Sequence, residues 1–213
     1  MSRKERIVVS GSRAHGKQQS ILESALQEFV THGYSAASMD RISVKAGVSK
    51  ATVYSYFQDK ETLYGALIDQ KVESACFINL KDLPPPGSLS PGKHIERLAD
   101  LMGCKPEDPD SENLLNFMRM TIAESGRFPK LAQIFVQRVE KPINLAISHY
   151  LRACGIANED AEPMAWIITG AFVYHILITQ VMSGAQIMPM ELSQLSRTLG
   201  KLIESYAEKY GKN

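Results

Sequence analysis

At 213 residues the chain can hold one large domain or two small ones, and its 44% apolar content is that of an ordinary soluble protein rather than a disordered one. Net charge is only +1, but residues 1–60 carry nine Lys or Arg against five Asp or Glu, and residues 61–213 carry fifteen against eighteen. Contact with a polyanion is therefore expected at the N-terminal end. Cys76, Cys104 and Cys154 are odd in number and lack metal-ligand spacing, which favours reduced thiols over a disulfide framework or a zinc site.

The first segment, 1–16, reads as a basic arm. Arg3, Lys4, Arg6 and Arg13, with Lys17 just beyond, could reach phosphates or a minor groove, or could form a solvated tail. A first helix is expected over Lys17–His32, with Ile21, Leu22, Ala25, Leu26 and Phe29 on one face and Gly33 as its stop. Ser38 can cap a short helix that carries Ile42 and Ala46 inward, and Gly47 supplies the positive φ a tight interhelical turn needs. Ser49 can cap the next helix, where Val53 and Phe57 lie one turn apart and face inward. Ala51, Thr52, Tyr54 and Ser55 fall on the outer side, with Lys50 near the helix start. A small, uncharged, hydrogen-bonding face of this kind can enter a DNA major groove.

Asp59 can cap a long helix bearing Leu63, Leu67, Ile68 and Val72 and reaching about Leu80. The Pro- and Gly-rich stretch 83–92 is a surface connection. Helices are then expected over His94–Met102, Glu112–Glu124 after a break at 104–110, and Pro129–Ala153, which Pro142 bends and Gly155 ends. Pro163 suits the first position of a helix to Met182, and Met190–Lys209 is the last. From Met164 to Met182 there is no charged residue, a length near the roughly 20 residues of a membrane span. Thr169, Gly170, His175, Thr179 and Gln180 interrupt it, so a helix buried by its own domain and a partner subunit explains it better. The total is about nine helices, no convincing strand and no internal repeat: an all-α chain.

From about Gln18 to Leu67 the sequence resembles the DNA-binding domain of the TetR family of bacterial transcriptional regulators. The resemblance rests on the first-helix face, His32-Gly33-Tyr34, Ser38-Met39-Asp40-Arg41-Ile42, the run from Ala46 to Phe57, and Asp59-Lys60-Glu61-Thr62-Leu63. Ser43 departs from it, standing where the family usually has Ala. The resemblance implies a three-helix helix-turn-helix head over 17–63 and a C-terminal helical effector-binding and dimerisation domain over 64–213. DNA contacts are expected from Lys50, Ala51, Thr52, Tyr54, Ser55 and Tyr56, with Ser38 and Lys60 at phosphates. In similar proteins the Tyr at the place of Tyr54 and the Lys at the place of Lys60 commonly meet the backbone. Tyr56 borders the inward face and is as well suited to packing.

The resemblance also implies an inducer pocket in the C-terminal helices, which offer Phe117, Met118, Met120, Phe135, Trp166, Phe172 and Tyr174. Such residues are equally core-forming. A homodimer through the last two helices, reading a palindromic double-stranded operator, is expected. His94, His149 and His175 form no metal-binding pattern, and neither metal nor cofactor is expected. The N-terminus has no apolar signal-type core, so a cytoplasmic location is expected and a membrane is not. The leading reading is a repressor released from its operator by a small apolar effector. Two alternatives stand beside it: a regulator governed by a partner protein or by Cys oxidation, and an all-helical enzyme. Against the enzyme, there is no phosphate loop, nucleophile elbow or metal constellation.

Overall fold

A computed structural model describes residues 3–73, 82–102 and 109–211; every regular element among them is helical. The helices are α1 (Arg3–Ala36), α2 (Met39–Lys45), α3 (Lys50–Tyr56), α4 (Lys60–Glu73), α5 (Pro91–Met102), α6 (Pro109–Glu124), α7 (Pro129–Phe135), α8 (Lys141–Ala153), α9 (Asn158–Ile176) and α10 (Leu192–Tyr210). A π-helical turn, Val136–Glu140, joins α7 to α8, and another, Leu177–Val181, extends α9. With α7 and α8 taken as one run, the described residues hold the nine helices expected. The chain divides into two units. One comprises residues 1–70 and 116–135, the other residues 71–115 and 136–213.

In the first unit, α1 presents Ile21, Ala25 and Phe29 fully buried, and α4 answers with Leu63, Tyr64, Leu67 and Ile68. Burying a side chain the size of Ile, Leu or Phe contributes roughly 1.5–3 kcal/mol before entropy is counted. An aromatic cluster extends that core. Tyr64 stacks on Phe117 with ring centroids 4.9 Å apart, and Tyr34 meets Phe128 edge-on at 5.1 Å. The Tyr64 hydroxyl and Thr121 Oγ1 lie 2.6 Å apart, which satisfies a phenol that burial pushes up to about 12. Residues 116–135 thus share a core with α1 and α4.

Helix α1 begins at Arg3 instead of Lys17, so the segment expected as an arm is helical from its third residue. Gly11 and Gly16 lower helix propensity by about 1 kcal/mol each relative to Ala. The expected break at Gly33 is present as a kink with non-helical backbone, φ 75° and ψ 162°. The side chains of Arg3, Lys4, Arg6 and Arg13 lie outside the described residues, as do Cys76, Cys104 and the expected end of α4 near Leu80.

The second unit is built on α8 packed against α9 and on α5 crossing α10. Helix α9 starts at Asn158, not at Pro163, because Glu159 and Asp160 occupy its first turn, where negative charge favours a helix start. Its buried face is Ala161, Ala165, Ile168, Thr169, Phe172 and Ile176, so the apolar helix serves as a core element. The Asn158–Val181 stretch is long and apolar enough by composition to cross a membrane. The π turn ends two residues before Pro142, which lacks the N–H that would continue a regular α-helical ladder. At the end of α8, Gly155 (φ 87°) closes a Schellman motif: the Ile156 N–H donates to Leu151 O at 3.1 Å and the Gly155 N–H to Arg152 O at 3.0 Å.

Candidate DNA-binding surface

Helices α2 and α3 owe their positions to caps that the sequence encodes. Ser38 Oγ accepts from the Asp40 N–H at 3.2 Å, and Ser49 Oγ accepts from the Thr52 N–H at 3.1 Å. Between them Gly47 (φ 65°) completes another Schellman turn, with Val48 N–H donating to Ser43 O at 3.0 Å and Gly47 N–H to Val44 O at 3.2 Å. The hydroxyl of Ser20 on α1 donates to Ala46 O at 3.1 Å and pins this turn from below. Ser43 is buried, but its hydroxyl donates to Asp40 O at 2.7 Å. That local bond explains why a hydroxyl is tolerated where the family usually has Ala.

Glu28 on α1 locks the pair of helices to the first. Its buried carboxylate lies 2.6 Å from the Arg41 guanidinium and accepts from the Ser38 N–H at 3.2 Å. Burial would raise its pKa, but the Arg41 and Ser38 bonds outweigh that and hold it below the usual carboxylate value.

With Val53 and Phe57 buried below, α3 exposes Lys50, Ala51, Tyr54 and Ser55, while Thr52 and Tyr56 are half-buried. Thr52 Oγ1 sits 2.8 Å from Ser49 Oγ, and Ser55 Oγ donates to Thr52 O at 2.7 Å, so both hydroxyls are oriented before any ligand arrives. Lys50 is held by Asp40 at 2.7 Å, a bond that raises its pKa, and lies 5.9 Å above the Tyr54 ring. Asp40 was missed in the sequence; its signal was an acid in the first turn of α2, ten residues before the Lys it meets. A cleft of about 660 Å³ opens between Ser38, Asp40, Lys50, Tyr54 and Gln58.

Lys60 requires a correction. Its ammonium donates to the carbonyls of Tyr34 at 2.8 Å, Ala37 at 3.0 Å and Ser35 at 3.2 Å, and sits 4.7 Å over the Tyr34 ring. It neutralises the carbonyl end of α1 rather than standing free for a phosphate. Burial lowers its pKa.

The residues expected to line an effector pocket fall in both units. Phe117, Met118, Met120 and Phe135 belong to the first unit, where Phe117 is committed to the stack on Tyr64. Trp166, Phe172 and Tyr174 belong to the second, on different sides of α9: Phe172 is fully buried, Tyr174 is exposed, and Trp166 lines a groove of about 510 Å³ along α8. Helical spacing alone could not separate these sides from one another. His94 is buried against Tyr150, His175 Nε2 lies 2.7 Å from Met190 O, and Cys154 is a free, half-buried thiol. Among the described residues no three His, Cys, Asp or Glu side chains gather as a metal site.

A capped helix-turn-helix on a helical body defines the class of all-helical DNA-binding proteins. Residues 21–67 match the model of bacterial regulatory proteins of the tetR family, and residues 110–157 match the C-terminal domain of AefR-like transcriptional repressors. It is 38% identical over 60 residues to the HTH-type transcriptional repressor AcnR of Corynebacterium diphtheriae, covering 28% of this chain and 32% of that one. It is 43% identical over 54 residues to the HTH-type transcriptional activator FasR of Mycolicibacterium smegmatis, covering 25% of each. The chain thus spans a quarter to a third of the length of these curated relatives. Among solved structures it is similar to the flavonoid-responsive regulator FrrA, at 26% identity and a TM-score of 0.64, covering 89% of this chain and 95% of that one.

Proposed function

We propose that the chain is a DNA-binding transcriptional regulator, a homodimer that occupies a palindromic operator as a repressor and is released by a small, largely apolar effector. The observation that carries this reading is the outer face of α3: Lys50, Ala51, Tyr54 and Ser55 exposed on a helix capped at its start and anchored underneath by Val53 and Phe57. Such a face can dock its N-terminal residues against base edges while its flanks meet phosphates. Both curated relatives are named regulators, which favours regulation over the enzyme alternative. Repression is favoured by the AefR-like match, since the relatives that share only the head include an activator.

Dimerisation is favoured by the second unit's uncovered apolar side chains. Ile167 and Tyr174 on α9 and Leu202 on α10 are each more than half exposed. A matching face on a second copy would bury them isologously. A cytoplasmic location follows from work on chromosomal DNA. Signal transfer has a route in chain continuity, because α4 and α6 each contribute residues to both units without a break. The Tyr64–Thr121 bond ties these two helices together within the first unit.

The test begins with genome-wide mapping of bound sites and continues with the recovered operator in vitro. Tyr54→Ala should weaken binding to every duplex alike, as loss of a flanking backbone contact does. Thr52→Ala should instead change sequence preference, by roughly 1–3 kcal/mol at one base pair. A folded Tyr54→Ala/Thr52→Ala protein with unchanged operator affinity and preference would remove α3 from the interface.

A further inference from the structure

The groove between α8 and α9 lies wholly within the second unit, and its two walls differ chemically. One face of α8 and the turn before it carries Glu140, Asn144, Ser148 and Arg152 at four-residue spacing, a polar ladder along a single side. The facing edge of α9 carries Trp166 and Gly170, also one turn apart, where a Cβ on Gly170 would have open space around it. Ser148 Oγ is fully buried with no hydrogen-bond partner, and the bond between Asn144 Nδ2 and Thr169 Oγ1 is long at 3.4 Å. A buried hydroxyl left unpaired is destabilising, so a groove that retains one is suited to receive a partner. Glu140 forms the last residue of the π turn, a distortion that recurs at functional sites. Burial raises its pKa.

We propose that this groove is an effector site for a neutral aromatic compound bearing hydroxyl groups. The indole of Trp166, more than two-thirds exposed, and the flat space at Gly170 form a slot for an aromatic ring. Ser148 and Asn144 can each give and take hydrogen bonds and Glu140 can accept them, which suits hydroxyls. The charges lining the groove, Glu140 and Lys141 on one side of the ladder and Arg152 with Glu162 on the other, balance, which argues against a strongly charged ligand. A volume of about 510 Å³ is within the range of small-molecule pockets. Ile167 and Tyr174 lie about 100° and 80° around α9 from Trp166 and about 60° and 40° from Gly170, so the groove and a subunit contact would occupy adjoining edges of one helix. The inference rests on the proposed effector response only for its consequence at DNA, not for the binding itself.

The probe is 4,4′-dihydroxybenzophenone, with benzophenone as the ring system without hydroxyls, titrated into the full-length protein by calorimetry and then photolysed in place. The hydroxylated compound should bind about tenfold tighter than benzophenone and label peptides from α8 and α9. Ser148→Ala should remove that tenfold advantage without lowering the melting temperature, because it deletes an unpaired buried hydroxyl. Gly170→Leu should block both compounds while leaving the oligomeric state unchanged. Equal affinities for the two compounds, labelling elsewhere, or unaltered binding by Ser148→Ala would overturn the site. A change of oligomeric state in Gly170→Leu would overturn it too, by giving the groove to a second copy. If binding follows the expected pattern but operator affinity is unaffected by the probe, the site stands and the reading of a DNA-releasing effector fails.

Discussion

Asp40 and Lys50 show how a single ion pair can set the behaviour of a reading face. Both side chains are more than half exposed, so their pairing adds little to stability, but it positions a cation at the start of α3. Asp40 also sets a negative charge where phosphates would approach. Asp40→Asn should therefore tighten binding to any duplex and steepen its salt dependence, while narrowing the margin between operator and random DNA. Anisotropy titrations across a salt series check this; a flatter slope in the variant would contradict it. Lys60 teaches the converse, because its place in the sequence says nothing about the three carbonyls, in the last turn of α1 and just beyond it, that occupy it. In the second unit, His94 stacks on Tyr150 with centroids 3.3 Å apart, and burial pushes its pKa from 6.5 down to about 4. A group whose folded pKa is depressed takes up protons more readily when unfolded. Its share of stability is thus present above about pH 6.5 and is lost as pH falls toward 4. Chemical denaturation at pH 7 and pH 5 should show this loss in the wild type and a smaller one in His94→Phe.

At the level of elements, α5 and α10 meet so closely that backbone touches backbone. A Cβ on Gly200 would lie 2.8 Å from Gly92 O and 3.1 Å from Gly92 Cα, neither of which can rotate away. A Cβ on Gly92 would meet the end of the Glu204 side chain at 2.7 Å, which can swing aside, and Gly200 O at 3.0 Å. Gly200→Ala should accordingly destabilise by about 1–3 kcal/mol despite its better helix propensity, and Gly92→Ala by less. Equal melting temperatures for the two variants would reject the close crossing. Nothing in the sequence announces this contact, because Gly92 ends the Pro- and Gly-rich stretch 83–92 and Gly200 lies 108 residues further on inside the last helix. By contrast, Ser38, Gly47, Ser49, Asp59 and Gly155 each act within a few residues of themselves, and their caps and turns were legible for that reason. The aromatic cluster lies between these cases. Tyr34, Tyr64, Phe117 and Phe128 are spread over 95 residues, and only packing reveals that the later two complete the core of the first unit.

For the whole molecule the question is how an effector in one part of the chain could change affinity for DNA in another. A dimer on DNA has its half-sites fixed about one helical turn, or a multiple, apart, so the spacing of the two α3 helices must match. An effector that favours a different arrangement of α4 and α6 alters that spacing through helices continuous across both units. Coupling of about 3 kcal/mol would weaken operator binding more than a hundredfold. Linkage then requires a reciprocal effect, since saturating operator must weaken the effector by the same factor. The expected result is a hundredfold loss of effector affinity when calorimetry is repeated on the protein–operator complex. Equal affinities with and without DNA would show that a compound can bind this protein without acting as its signal. A dimer is the other requirement, and light scattering at micromolar concentration checks it independently. Ile167→Arg would carry an unpaired charge into the contact and should yield monomers. Those monomers should hold the operator weakly, since only one half-site is read at a time. A wild type already monomeric under those conditions would leave the spacing mechanism without its second reading head.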